Sequence, residues 1–114
     1  MAYPLVKIHD STSFNVSGTV SYMSLFCSND RYSATPGTTW EARSRGVCLV
    51  TQITATVKTP DGNIEARPYK SSGTSYSKFA VINTGGNSFA VTRVVTLTED
   101  DMPAEYVEPT TQQK

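Results

Sequence analysis

Val47-Cys48-Leu49-Val50-Thr51-Gln52-Ile53-Thr54-Ala55-Thr56-Val57-Lys58, followed by Thr59-Pro60-Asp61-Gly62-Asn63, is the stretch that decides the fold. Its odd positions (Val47, Leu49, Thr51, Ile53, Ala55, Val57) are apolar or β-branched, whereas the even ones pass from Cys48 and Val50 to the polar Gln52, Thr54, Thr56 and Lys58. A period of two built from β-branched side chains marks a half-buried antiparallel strand over 47–58, with the odd positions facing the core. Pro60 presets φ for a turn, Asp61 suits the next position, and Gly62 supplies a positive φ, so the strand is expected to fold back as a hairpin. The return strand over 64–69 contains Pro68, which cannot donate to a ladder and marks an edge or an interruption.

The same signals recur outward from this hairpin. Residues 76–83 and 88–97 flank Thr84-Gly85-Gly86-Asn87 as a second hairpin, with Phe89, Val91, Arg93, Val95 and Leu97 on the bulky face. Arg93 breaks that face, which calls for a bulge that shifts the alternation, a stem that snorkels to the rim, or a buried anion-binding arginine. On the N-terminal side, 5–9 is a short strand, 14–22 alternates Phe14, Val16, Gly18, Val20 and Tyr22 with small polar residues, and 30–34 and 38–42 flank the Thr35-Pro36-Gly37 turn. No amphipathic helix of ordinary length is present. Seven or eight short strands with regular turn signals define an all-β chain, a small antiparallel β-sandwich.

The chain has 114 residues and a formal net charge of zero. That length suits one domain with a modest core. The neutrality hides an asymmetry: residues 1–98 hold nine Lys and Arg against five Asp and Glu, a net of +4, while 99–114 hold one against five, a net of −4. The expected organisation is a sandwich over 1–98 and an acidic, flexible C-terminal tail over 99–114. No apolar run is long enough to cross a bilayer as a helix. The first residues lack a secretory leader, so the cytoplasm is expected unless Met1 is not the native start. Cys27 and Cys48 leave two readings open: a small apolar Cys48 on a strand, which is favoured, or a bridge closing about 20 residues and stabilising the fold by about 3 kcal/mol. Asn15-Val16-Ser17 is an N-glycosylation triplet, a pattern that also arises by chance.

Catalytic chemistry finds little support. His9 is the only histidine, with Asp10 as its one acidic sequence neighbour, and there is no phosphate loop, dinucleotide fingerprint, calcium loop or histidine cluster. No enzyme activity, cofactor or metal is expected, and the scattered basic residues do not suit nucleic-acid binding. Two surface candidates remain. Asn29, Arg31 and Tyr32, with Trp40, Arg43 and Arg45, combine aromatic faces with groups that bond sugar hydroxyls. Lys70, Ser72, Thr74, Tyr76 and Lys78 belong to a hydroxyl-rich stretch suited to an anion. Loops 28–32, 43–46 and 70–78 are thus the expected contacts of a non-catalytic, lectin-like or lipid-binding module for a glycan or an anionic membrane surface. The alternative is a self-assembling shell, capsid or fibre subunit, a homo-oligomer in which the acidic tail docks on a neighbour.

Overall fold

The computed structural model describes residues 3–23 and 26–94, and they form ten strands and no helix. In chain order these are β1 (Lys7–Asp10), β2 (Asn15–Tyr22), β3 (Asp30–Ala34), β4 (Thr39–Glu41), β5 (Val50–Ile53), β6 (Thr56–Thr59), β7 (Gly62–Glu65), β8 (Tyr69–Thr74), β9 (Lys78–Gly85) and β10 (Ser88–Arg93). Two sheets face each other. The first has the order β10-β9-β1-β4, and the second runs β7-β6-β2-β5-β8 with β3 added on the free side of β2. All pairs are antiparallel except β1 with β9. Val6, Ile8, Phe79, Val81 and Phe89 from one sheet meet Val16, Val20, Val50, Ile53 and Val57 from the other in a continuous core. The acidic stretch 99–114, with Val95 and Leu97, lies outside the described residues.

The expected 47–58 strand is two strands, because β2 pairs through its second half with β5 and through its first half with β6. The join falls at Thr54-Ala55, where Thr54 donates its N–H to the Thr19 carbonyl at 3.0 Å and its hydroxyl receives the Thr19 N–H at 3.1 Å. The pairing register also shifts between Val50 and Gln52. That bulge reverses the alternation, so Val50 and Ile53 both point inward, while Val47 is 65% exposed and Leu49 is only half-buried. The inward face expected for Val47 and Leu49 is therefore corrected, whereas that expected for Ile53, Ala55 and Val57 stands.

Gly18 explains the geometry at this join. It pairs with Tyr32 across β2 and β3. A Cβ at Gly18 would lie 2.7 Å from the Thr54 carbonyl carbon and 2.9 Å from Tyr32 Cε1. Without one, the Tyr32 ring crosses β2 and its hydroxyl donates to the Thr54 carbonyl at 2.6 Å. An aromatic ring thus fills the gap over a strand glycine, and the Tyr32 side chain is core.

Pro68 interrupts the return strand as expected, separating β7 from β8. Between them, Arg67 donates its N–H to the Phe89 carbonyl and accepts the Val91 N–H, tying the second sheet to the outer edge of β10. Beyond Pro68 the expected hydroxyl-rich loop is corrected: Ser71, Ser72, Gly73 and Thr74 are strand β8, paired with β5. The Ser71 hydroxyl donates to the Val50 carbonyl at 2.6 Å, so this hydroxyl of the stretch serves the sheet. In β10 the register runs unbroken from Phe89 to Arg93, its irregularity lying at Ser88. Arg93 keeps its place on the bulky face, its guanidinium 4.0 Å from the Tyr76 ring centroid.

The strands give the sandwich two unlike ends. The turns at 10–14, 35–38, 59–62 and 85–87 gather at one, the turn end; residues 3–6, Met23, 26–29, 42–49 and 74–77 gather at the other, the loop end.

Candidate functional site

At the loop end β2 delivers Met23, β3 starts at Asp30, β4 leads into Arg43, and β8 ends at Thr74. Cys27 and Cys48 are joined, their Cα atoms 6.1 Å apart, which overturns the expectation of a free Cys48. Spacing in sequence is a poor guide here, because two loops on neighbouring strands bring the sulfurs together.

Arg45 is the second tie. It is only 4% exposed. Its guanidinium donates to the carbonyls of Cys48 at 2.8 Å, Pro4 at 3.0 Å, Thr74 at 2.8 Å and Ser75 at 3.2 Å, and sits 5.3 Å from the Tyr3 ring centroid. Burial pushes this guanidinium below its ordinary value, with Tyr22 and Tyr3 opposing the shift. An arginine nevertheless stays charged at any physiological pH. The five-donor fork therefore gathers the N-terminal segment, the 42–49 loop and the end of β8 around one cation. Of the guanidinium donors expected to meet a ligand at Arg45, four are engaged by backbone carbonyls.

Four more expected contacts turn inward. Tyr32 fills the gap over Gly18, and burial, reinforced by the Asp10 carboxylate, pushes its hydroxyl well above the ordinary tyrosine value. Thr74 is buried, its hydroxyl accepting the Tyr76 N–H at 3.1 Å. Tyr76 is buried beneath Arg93. Trp40 pairs opposite the buried Ile8, which sets it on the inner face, half-buried with its ring centroid 5.6 Å from that of Tyr32. The aromatic faces expected for sugar stacking are thereby spent on packing. Asn29, Arg31, Arg43, Lys70 and Ser72 are exposed, and Lys78 is half-buried. Asn29 and Arg43 belong to the loop end, Arg31 and Lys70 lie along β3 and β8, and Lys78 opens β9 beside Ser77. The expected residues thus do not converge on one ligand.

What does converge is a group the periodicity concealed. Met23 is 57% exposed, Phe26 98% and Val47 65%, and these are the large apolar side chains exposed among the described residues. Phe26 precedes Cys27, Val47 precedes Cys48, and Met23 donates its N–H to the Leu49 carbonyl at 2.9 Å, so the disulfide and this hydrogen bond bring the backbone of all three to the same part of the loop end. The signal available in the sequence was an apolar residue immediately before each cysteine. Beside them Tyr22, Phe26, Cys27, Ser28, Asp30, Ser44, Arg45 and Cys48 line a shallow cleft of about 270 Å³. At its wall the Tyr22 hydroxyl donates to Asp30 Oδ2 at 2.7 Å, and burial, followed by the Asp30 hydrogen bond, pushes Tyr22 above its ordinary value. Among the described residues no three His, Cys, Asp or Glu side chains are grouped to hold a metal.

The class these observations define is an all-β sandwich with a disulfide-tied, apolar-tipped loop end. No family model, curated protein or solved structure matches the chain.

Proposed function

We propose that the protein is a non-catalytic recognition module that lays its loop end on a lipid surface bearing anionic head groups. The observation that carries this reading is the clustering of Met23, Phe26 and Val47 around the Cys27–Cys48 bridge. Solvent-exposed apolar side chains gathered at one place mark a contact surface. Here they are held by a disulfide and a buried arginine, so little ordering is left to be lost on docking. Arg43 is exposed in the same group of loops, where its charge meets head-group phosphates while the apolar tips enter the interface. The cleft bounded by Ser28, Asp30 and Ser44 is polar enough to receive part of one head group.

Co-sedimentation with neutral, anionic and glycolipid-bearing vesicles at low and high salt tests the reading. The full-length protein is expected to pellet with anionic vesicles and to keep part of that binding at high salt, because apolar insertion is not screened. The double substitution Phe26→Ser with Val47→Ser is expected to weaken binding at least tenfold at unchanged thermal stability, in line with about 1.5 to 3 kcal/mol for burying one such side chain. Binding confined to a single glycolipid would make the cleft a sugar site and the protein a lectin. A protein that stays in the supernatant with every vesicle would overturn the proposal.

A further inference from the structure

Asn15-Val16-Ser17 is the one N-glycosylation triplet of the sequence, and nothing at the loop end makes use of it. Two features of the fold now bear on it. The first is the bond between Cys27 and Cys48, which forms and persists in oxidising compartments, where asparagine-linked glycans are also attached. The second is where the triplet falls. Asn15 is the first residue of β2 and is exposed, whereas Val16 between it and Ser17 is buried. Asn15 and Ser17 therefore share the outer face of the sheet. Among the described residues the Asn15 carboxamide makes no hydrogen bond, so neither its nitrogen nor its oxygen is needed by the fold. Beside it an open groove of about 410 Å³ runs between Ser33, Thr35, Thr38 and Lys58. Its polar lining suits the first sugar residue of a glycan.

We infer that Asn15 is an N-glycosylation site, the modification being an oligosaccharide projecting from the turn end. In the transfer a bond forms between Asn15 Nδ2 and the anomeric carbon of an oligosaccharide carried on a polyprenyl diphosphate. The bond from that carbon to the diphosphate oxygen breaks, the lipid diphosphate leaves with the electron pair, and the displaced amide proton passes to a base of the transferase. The folded chain accommodates the product because attachment removes no contact and buries no charge. Asn15 and Tyr22 bound β2, and seven steps of about 3.3 Å put the glycan roughly 23 Å from the loop end, clear of the Phe26 surface. The inference does not depend on what the loop end binds.

The test is secretion of the full chain, behind a cleavable leader, from eukaryotic cells, with intact-mass measurement before and after peptide N-glycosidase. The expected result is a mass raised by an oligosaccharide that the enzyme removes, leaving aspartate at position 15. Asn15→Gln and Ser17→Ala are each expected to abolish the increment, and Ser17→Thr, which keeps the triplet, to retain it. A secreted, disulfide-bonded chain found only at its unmodified mass would overturn the inference, as would an increment that survives Asn15→Gln.

Discussion

At the turn end the side chains that close the turns act locally. The Thr38 hydroxyl donates to the Thr35 carbonyl at 2.7 Å, the Thr59 hydroxyl to the Gly62 carbonyl at 2.7 Å, and Asn83 Oδ1 accepts the Gly85 N–H at 2.8 Å. Asp10 turns the corner into β2 by accepting both the backbone N–H and the hydroxyl of Thr12. At the loop end the closures span long stretches of chain: a disulfide across 21 residues, and a guanidinium bonded to carbonyls up to 41 residues away. Short polar side chains serve an end where the chain reverses tightly. Where four segments arrive from different strands, no single turn can satisfy their carbonyls, and a covalent link and a buried cation take over. In the second arrangement the closures are made by the cystine and the guanidinium, and Met23, Phe26 and Val47 stand largely exposed beside them.

Four measurements would break or sharpen this contrast. The largest effect is expected at Arg45: Arg45→Met leaves four carbonyls without their donor and should lower unfolding stability by about 3 to 5 kcal/mol, against less than about 0.5 for Arg43→Met, as read by urea denaturation. A loss at Arg45 as small as that at Arg43 would show that the guanidinium only decorates the loops. Replacing Cys27 and Cys48 together by serine should lower stability by about 3 kcal/mol, with amide exchange rising at 26–29 and 42–49 while the 35–38 and 59–62 turns stay protected. Equal deprotection at both ends would erase the distinction between them.

Alkaline titration probes the interior that lies between the ends. Because Tyr32 has a folded-state value raised above that of the unfolded chain, its stabilising effect is complete below about pH 10 and is lost as pH rises beyond. Tyr22, raised in the same direction, adds to the fall, so the urea midpoint should decline between about pH 10 and 11.5, and Tyr32→Phe should remove its share of the slope, up to about 1.4 kcal/mol per pH unit, while the share of Tyr22 remains. The smallest effect belongs to the turn end. Gly37 adopts φ of 80°, and a Cβ there would meet nothing within 4 Å, so Gly37→Ala should cost about 1 kcal/mol from backbone strain alone, with no change in exchange at the loop end.

The contrast also governs what could be read from residues in order. The turns at 35–38, 59–62 and 85–87 were legible because Pro, Gly and Asn act on their own neighbours, and the sandwich class followed from the strands between them. Long-range closures leave no such trace. Arg45 resembled any surface arginine until four carbonyls converged on it, and the bridge to Cys27 depended on how the strands were arranged. The bulge near Thr51 was hidden because Val, Leu, Thr and Ile suit either face of a strand, so the alternation read as continuous. Tyr32 and Tyr76 looked like ligand-facing aromatics because a glycine on the neighbouring strand, or an arginine on β10, is what gives each ring its place.

The bridge between Arg67 and β10 gives the sandwich one bound spine. Two backbone hydrogen bonds stitch the sheets along that margin, while β3 and β4, in different sheets, meet through the 35–38 turn and the packing of Tyr32 on Trp40, with no strand pairing between them. Mechanically the molecule is a book whose fore-edge is held by side chains: any parting of the covers between β3 and β4 separates Tyr32 from Trp40, so the fluorescence of this pair reports that opening.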